Sequence, residues 1–193
     1  QSPEDEVITA AHKTYIKNYI NDYEYDLIYN LSTKKYLDYI DINSFIDYWL
    51  AVELTMNSEP SHPKSVFMYK DRDGLLCAGP MWDFDWGTFR PELTEKYAVR
   101  NTLYYSNLFR SYHFVEQIKE RWKMAKPRYE ALIDVFEQEA AKLKNSDQMN
   151  IALWPIATRE NGDETMSFDE AVARMKQTYA DKLKWLDAQI NAM

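Results

Sequence analysis

The segment that decides the fold reads SVFMYK over residues 65–70, DRDG over 71–74, LLCA over 75–78 and GPMWDFDWG over 79–87. The first and third pieces are rich in apolar residues and flank an Asp-Arg-Asp-Gly turn, which predicts a β-hairpin. Three of the four glycines of the chain fall within this segment. Because glycine is most useful where the backbone turns tightly or approaches a ligand, we predict that the functional part of the chain lies here.

Helical patterns surround the hairpin. Apolar residues recur at spacings of three and four, which is typical of amphipathic helices. The predicted helices cover residues 7–31, 43–57, 103–110, 114–126, 127–144 and 167–190. Either Asn43 or Ser44 is expected to cap the second helix, Pro127 to restart a helix, and Ser167 to open the last one with a capping box. A loop is predicted at 88–101 and a break at 145–164. The expected fold is a single α+β domain over residues 1–193, predominantly α-helical with a small central β-hairpin.

Charge and cysteine content narrow the classes of function. The formal net charge is −8, and an acidic surface repels phosphate backbones, so we expect no nucleic-acid partner. A single cysteine, Cys77, excludes an internal disulfide framework. No apolar run approaches the length of a transmembrane helix, so we expect no membrane insertion within this chain. The chain opens without Met, and we expect it to be part of a longer protein.

Two carboxylates follow the second predicted strand. If the backbone stays extended, Asp83 and Asp85 project to the same face. Compact oxygen ligands at such a corner suit Mg²⁺, which often takes one or two carboxylates and fills its other positions with water and phosphate. The flanking Trp82, Phe84 and Trp86 are expected to hold the backbone in place. The alternative is a pair of surface aspartates in a turn.

A second candidate region lies at the end of the helix predicted over residues 43–57. Glu53 and Asn57 are one helical turn apart and are expected to share a face. Glu59 follows in the loop, where a lone glutamate is usually solvated. It gains interest because the hairpin is expected to return the chain to this region, close to Asp83.

At these residues the sequence resembles the CotH kinase family, which includes bacterial spore-coat and secreted or surface proteins with an atypical protein-kinase-like fold. The resemblance spans roughly residues 40–190 and is carried by NSFIDY at 43–48, EL at 53–54 with Asn57, FMYKD at 67–71 and GPMWDFD at 79–85. It implies a kinase C-lobe-like helical domain and a secreted or cell-surface location.

The resemblance also implies roles for individual residues. Mg²⁺ and ATP would be the cofactors and a protein hydroxyl the phosphate acceptor, with Asp83 as the metal ligand and Asp85 as a second one. Glu59 stands where the family has its catalytic Asp, and its extra methylene displaces the carboxylate by about 1 Å, a misplacement that is costly in catalysis. Asn57 and Ser65 are the predicted cofactor-binding residues.

Two alternatives remain open. One is a catalytically inactive kinase-like module that binds a surface or structural partner, motivated by Glu59 in place of Asp. The other is a nucleotide-sugar transferase using the Asp-x-Asp pair with Mn²⁺, which requires a sheet of several parallel strands. No nucleotide-binding lobe is recognisable upstream, so we expect these residues alone to bind Mg-ATP weakly or not at all.

Overall fold

Five α-helices and one two-stranded antiparallel hairpin make up the computed structural model, which describes residues 7–62, 64–85, 87–154 and 166–193. The helices are α1 (Ala10–Tyr29), α2 (Ile42–Leu54), α3 (Tyr105–Leu108), α4 (Tyr112–Leu153) and α5 (Phe168–Asn191), and the strands are β1 (Met68–Lys70) and β2 (Leu76–Ala78). The predicted fold class is therefore confirmed. The part of the chain described contains no helix that is both long and apolar enough to cross a membrane.

The hairpin is present but shorter than predicted. Its register pairs Met68 with Ala78 and Lys70 with Leu76, and the turn contains Asp73 in the left-handed region with φ 60°. On its other side, β2 is fixed to the chain before α2, because Leu76 donates to the Tyr39 carbonyl at 2.8 Å and accepts from the Asp41 amide at 2.9 Å. This double attachment sets where the chain emerges after residue 78.

Helix α2 lies at the centre of the core. Eight of its residues are buried, on all sides of the helix, as expected for a helix surrounded by other elements. Its neighbours contribute buried aromatic and aliphatic side chains, among them Tyr23 and Leu27 of α1, Phe114, Ile118 and Trp122 of α4, and Tyr179, Leu183, Leu186 and Ile190 of α5.

The cap of α2 differs from the prediction. Asp41 is the cap, and its Oδ1 accepts hydrogen bonds from the amides of Asn43 at 3.0 Å and Ser44 at 3.2 Å. Asp41 takes this position because its own amide is held by β2, which keeps its backbone extended just before the helix. The capping box predicted at Ser167 is confirmed, with Glu170 as its partner.

Helix α4 runs without a break through Pro127, so the predicted division at this residue is wrong. Contacts with α5 hold the helix on both sides of the proline. Before it, Trp122 donates from Nε1 to Asp187 at 2.8 Å; after it, the Tyr179 hydroxyl donates to the Tyr129 carbonyl at 2.9 Å. The break predicted to begin at 145 is also wrong as far as Leu153, and residues 155–165 lie outside the described part of the chain.

Substituting Pro127→Ala should stabilise the protein by about 1–3 kcal/mol. Pro127 is exposed, so little packing is lost, while alanine restores the amide and removes the ring clash in the helix interior. The measurement is the free energy of unfolding from urea denaturation. Pro91→Ala is the control, because Pro91 begins a short 3-10 turn where no helical hydrogen bond is missing. An equal or smaller gain at Pro127 than at Pro91 would contradict the interpretation.

A fully buried ion pair joins α2 to α5 and to the loop at 88–104. The Glu53 carboxylate accepts hydrogen bonds from the amides of Ala98 at 2.7 Å, Val99 at 2.9 Å and Arg100 at 3.1 Å. The Lys182 Nζ lies 3.5 Å from Glu53 and also donates to the carbonyls of Leu93 and Lys96. Burial raises the pKa of Glu53 and lowers that of Lys182, while their mutual attraction opposes both shifts.

Substituting Glu53→Gln should cost about 3–5 kcal/mol of stability, because it leaves the Lys182 charge buried without its counter-ion. Glu120→Gln, which breaks the exposed ion pair of Glu120 with Lys123, should cost at most about 1 kcal/mol. Urea denaturation of both variants measures the difference. Similar losses for Glu53→Gln and Glu120→Gln would mean that packing alone holds the loop.

Candidate functional site

The end of α2 directs Glu53 and Asn57 to different places. The helix ends at Leu54, and Met56 takes a left-handed conformation with φ 56°. The prediction that Glu53 and Asn57 share a helical face is therefore wrong, because the helix does not reach Asn57. Glu53 binds the loop amides at 98–100, whereas Asn57 turns toward the chain after the hairpin.

Asn57 connects two of the predicted site residues. Its side chain is only 2% exposed. The Asn57 Nδ2 donates to the backbone carbonyl of Asp83 at 3.3 Å, and its Oδ1 accepts from the amide of Glu59 at 3.0 Å. The expected return of the hairpin to the end of α2 is thus observed, and the buried amide fixes the spacing between the two segments.

Ser65 orients the carboxylate of Asp83. Its Oγ donates to Asp83 Oδ2 at 2.8 Å. The other carboxylate oxygen makes no hydrogen bond with any described residue, and the side chain is exposed to solvent. One oxygen is held in position and the other stays available, which is the arrangement that a cation ligand requires.

Glu59 begins the 3-10 turn Glu59–Ser61 at the edge of this group. Its Oε2 is enclosed and has no hydrogen-bond partner among the described residues. A buried carboxylate oxygen without a partner is unfavourable, so its position calls for a functional explanation.

Asp83 and Asp85 do not lie on one face of an extended strand. The premise of an extended backbone fails because Asp83 has φ 66°, in the left-handed region. Asp85 is exposed and has no contact with Asp83 among the described interactions. Of the aromatic neighbours, Phe84 packs partly against the core, Trp82 is 61% exposed, and Trp86 lies outside the described residues.

Unusual backbone conformations concentrate around this group. Among the described residues, seven non-glycine residues have positive φ, and four of them lie here: Met56, Ser65, Asp83 and Phe89. The Phe89 amide donates to the Thr55 carbonyl at 2.9 Å, which closes the segment after Asp83 onto the end of α2. Strained conformations of this kind persist where surrounding contacts enforce them and are frequent at functional sites.

The donor set fits a hard cation that brings most of its own ligands. No three His, Cys, Asp or Glu side chains come together as a metal site within the described residues. Mg²⁺ does not require such a cluster, because it retains waters and binds substrate phosphates beside one or two carboxylates. The free oxygen of Asp83 with the neighbouring Ser65 hydroxyl meets that requirement.

Glu53 was predicted only as a candidate site residue, and no role was predicted for Lys182. Glu53 carried a signal for its structural role, since it is the one charged residue between Tyr48 and Ser58. Lys182 carried a weaker signal, because Asp181 and Lys184 are its close neighbours in sequence and only its position on the buried face of α5 distinguishes it. The left-handed backbone at Ser65 and Asp83 had no comparable signal, because both residue types occur in every kind of loop.

Comparison with known proteins places the chain in a family. Searches of curated proteins and of solved structures gave no match. The model of the family described as CotH kinase protein matches residues 1–186, and so extends to the start of α1 as well as over the motifs at 43–85. A match over nearly the whole chain establishes that this kinase-like protein belongs to the CotH kinase family.

Proposed function

We propose that the protein containing this chain transfers a phosphoryl group from Mg-ATP to a protein hydroxyl. The observation that supports this best is the group formed by Asn57, Glu59, Ser65 and Asp83, which three hydrogen bonds tie together from three separate segments of the chain. Family membership adds the expectation of ATP and Mg²⁺ as cofactors. The secreted or cell-surface location remains part of the proposal.

Each residue has a distinct role in this proposal. Asp83 would hold the metal, which neutralises the charge that develops on the phosphates during transfer. Ser65 orients Asp83, and Asn57 keeps Glu59 and Asp83 in register. The Glu59 carboxylate would accept a proton or a hydrogen bond from the acceptor hydroxyl. Asp85 remains a proposed second ligand through water.

A kinase-like module without catalysis is the second candidate. It is favoured by Glu59 in place of Asp, which positions the carboxylate differently from the family's pattern. The nucleotide-sugar transferase hypothesis loses its support, because the described residues contain a two-stranded antiparallel sheet and no parallel strands beyond a single bridge between Ile40 and Leu76.

Substituting Asp83→Asn should abolish Mg²⁺-dependent ATP binding and lower phosphoryl transfer roughly a hundredfold or more, because the metal contributes several kcal/mol to the transition state. Asparagine tolerates the left-handed backbone at this position, so the fold is retained. The measurements are calorimetric titration of ATP with Mg²⁺ and transfer of labelled phosphate, on this chain and on a form extended toward its N-terminus.

Asp85→Asn is the matched comparison. It removes the same negative charge from an exposed side chain that lies two residues after Asp83. Its effect should be about tenfold, the low end of the range of about 10–100-fold for a group that acts on the metal through water, and so smaller than that of Asp83→Asn. Retention of transfer in Asp83→Asn would exclude the assigned metal ligand. Absence of ATP binding by both unmodified forms would favour the inactive module.

Substituting Ser65→Ala should lower activity by about 10–100-fold, because the hydroxyl that orients Asp83 is lost while the carboxylate remains. Part of the loss should be recovered at higher Mg²⁺ concentration. Ser106→Ala serves for comparison, because its Oγ donates only to the Leu103 carbonyl on an exposed surface. Equal activity of the two variants would contradict a role for Ser65 in orientation.

A further inference from the structure

A separate apolar cavity lies between α1, α2, α3 and the hairpin. Its volume is about 290 Å³, and none of the four residues grouped around Asp83 lines it. Five aromatic side chains form much of its wall: Phe45, Tyr48, Phe67, Tyr104 and Tyr105. Glu24 is the single charged residue that lines it within the described part of the chain. One carboxylate in an aromatic wall is an unusual composition for a simple packing defect.

The Glu24 carboxylate is positioned by the wall. Its Oε1 accepts a hydrogen bond from the Tyr104 hydroxyl at 2.8 Å. Its other oxygen pairs with no described residue, and no described cation forms a salt bridge with it. Tyr104 is in turn held by Tyr23, whose ring centroid lies 5.0 Å away in an edge-to-face arrangement. The half-buried negative charge therefore has an orienting partner but no counter-ion within the described part of the chain.

Tyr48 gives the cavity a second polar group. Its side chain is only 5% exposed, and its hydroxyl makes no hydrogen bond with any described residue. Burial raises the pKa of this phenol, so it remains protonated at neutral pH. A phenolic hydroxyl in the cavity wall can both donate a hydrogen bond to a ligand and accept one from it.

These features define the chemistry of the occupant. Aromatic faces attract cations, and a carboxylate without a counter-ion adds to that preference. A volume near 290 Å³ lies at the small end of ligand sites, which excludes a molecule of nucleotide size. Glu24 and Tyr48 both offer acceptor oxygens, which favours an ammonium group carrying N–H donors over a quaternary one.

We propose that this cavity binds a small organic ammonium ion with a compact apolar or aromatic body, with Glu24 as its counter-ion and Tyr48 as a second hydrogen-bonding group. The site is distinct from the one assigned to phosphoryl transfer and does not depend on it. The segment that leads into the hairpin connects the two sites: residues 66–68 line the cavity, and Ser65 orients Asp83.

The test is calorimetric titration of the chain with phenethylammonium and with 2-phenylethanol, a neutral molecule of nearly the same shape. The ammonium ion should bind at least about tenfold more tightly. Equal affinities, or no saturable binding of either compound at millimolar concentration, would overturn the proposal. This comparison needs no variant and no ATP, so its outcome is independent of phosphoryl transfer.

Variants locate the site. Glu24→Gln should remove the preference for the cation, and Tyr48→Phe should weaken binding of the ammonium ion several-fold. Asp22→Asn is the matched control, because it removes the same charge from an exposed position on the same helix. An equal loss in Asp22→Asn and Glu24→Gln would show that the effect is only general electrostatic attraction. Tighter binding of an Nα-acetyl-lysine amide than of phenethylammonium would assign the cavity to a protein side chain instead.

Discussion

The buried pair of Glu53 and Lys182 is the constraint on which the placement of the long loop depends. Transfer of two charges into a protein interior is costly, and it is tolerated only where the remaining hydrogen-bonding capacity is satisfied. Here three backbone amides donate hydrogen bonds to the Glu53 carboxylate, and two backbone carbonyls accept hydrogen bonds from the Lys182 ammonium group. The loop between the hairpin and α3 has little secondary structure of its own, so these bonds replace the ladder that a strand or helix would provide.

The candidate site is held together by a different set of contacts. Its residues lie after the end of α2, just before the hairpin and in the segment after the hairpin. None of them belongs to an α-helix or a β-strand. Asn57 supplies the connection with a single buried amide group, bonded in both directions. The position of the Asp83 carboxylate is set by the left-handed backbone at Ser65 and Asp83 more than by packing, since Asp83 and its neighbour Trp82 are largely exposed.

Local chemistry made part of this structure predictable. The Asp-Arg-Asp-Gly turn identified the hairpin, and the Ser-x-x-Glu pattern identified the start of α5, because each motif satisfies its own backbone groups. The predictions failed where distant contacts decide. Pro127 would break an isolated helix, but contacts with α5 hold α4 before and after the proline. Asp41 caps α2 because the Leu76 carbonyl of β2 accepts its amide hydrogen. The proximity of Glu59 and Asp83 was predictable from the topology of the hairpin, whereas the left-handed backbone at Asp83 was not.

The left-handed backbone at Asp83 has an evolutionary consequence. Aspartate, asparagine and glycine adopt this conformation more readily than other residues, so substitutions accepted by the fold are concentrated among these three. The two neutral ones abolish the negative charge while leaving the chain path intact. Relatives can therefore lose the proposed cation ligand in one mutational step without passing through an unstable intermediate. Descendants with and without catalysis would then share one architecture and would be told apart by this side chain instead of by their shape.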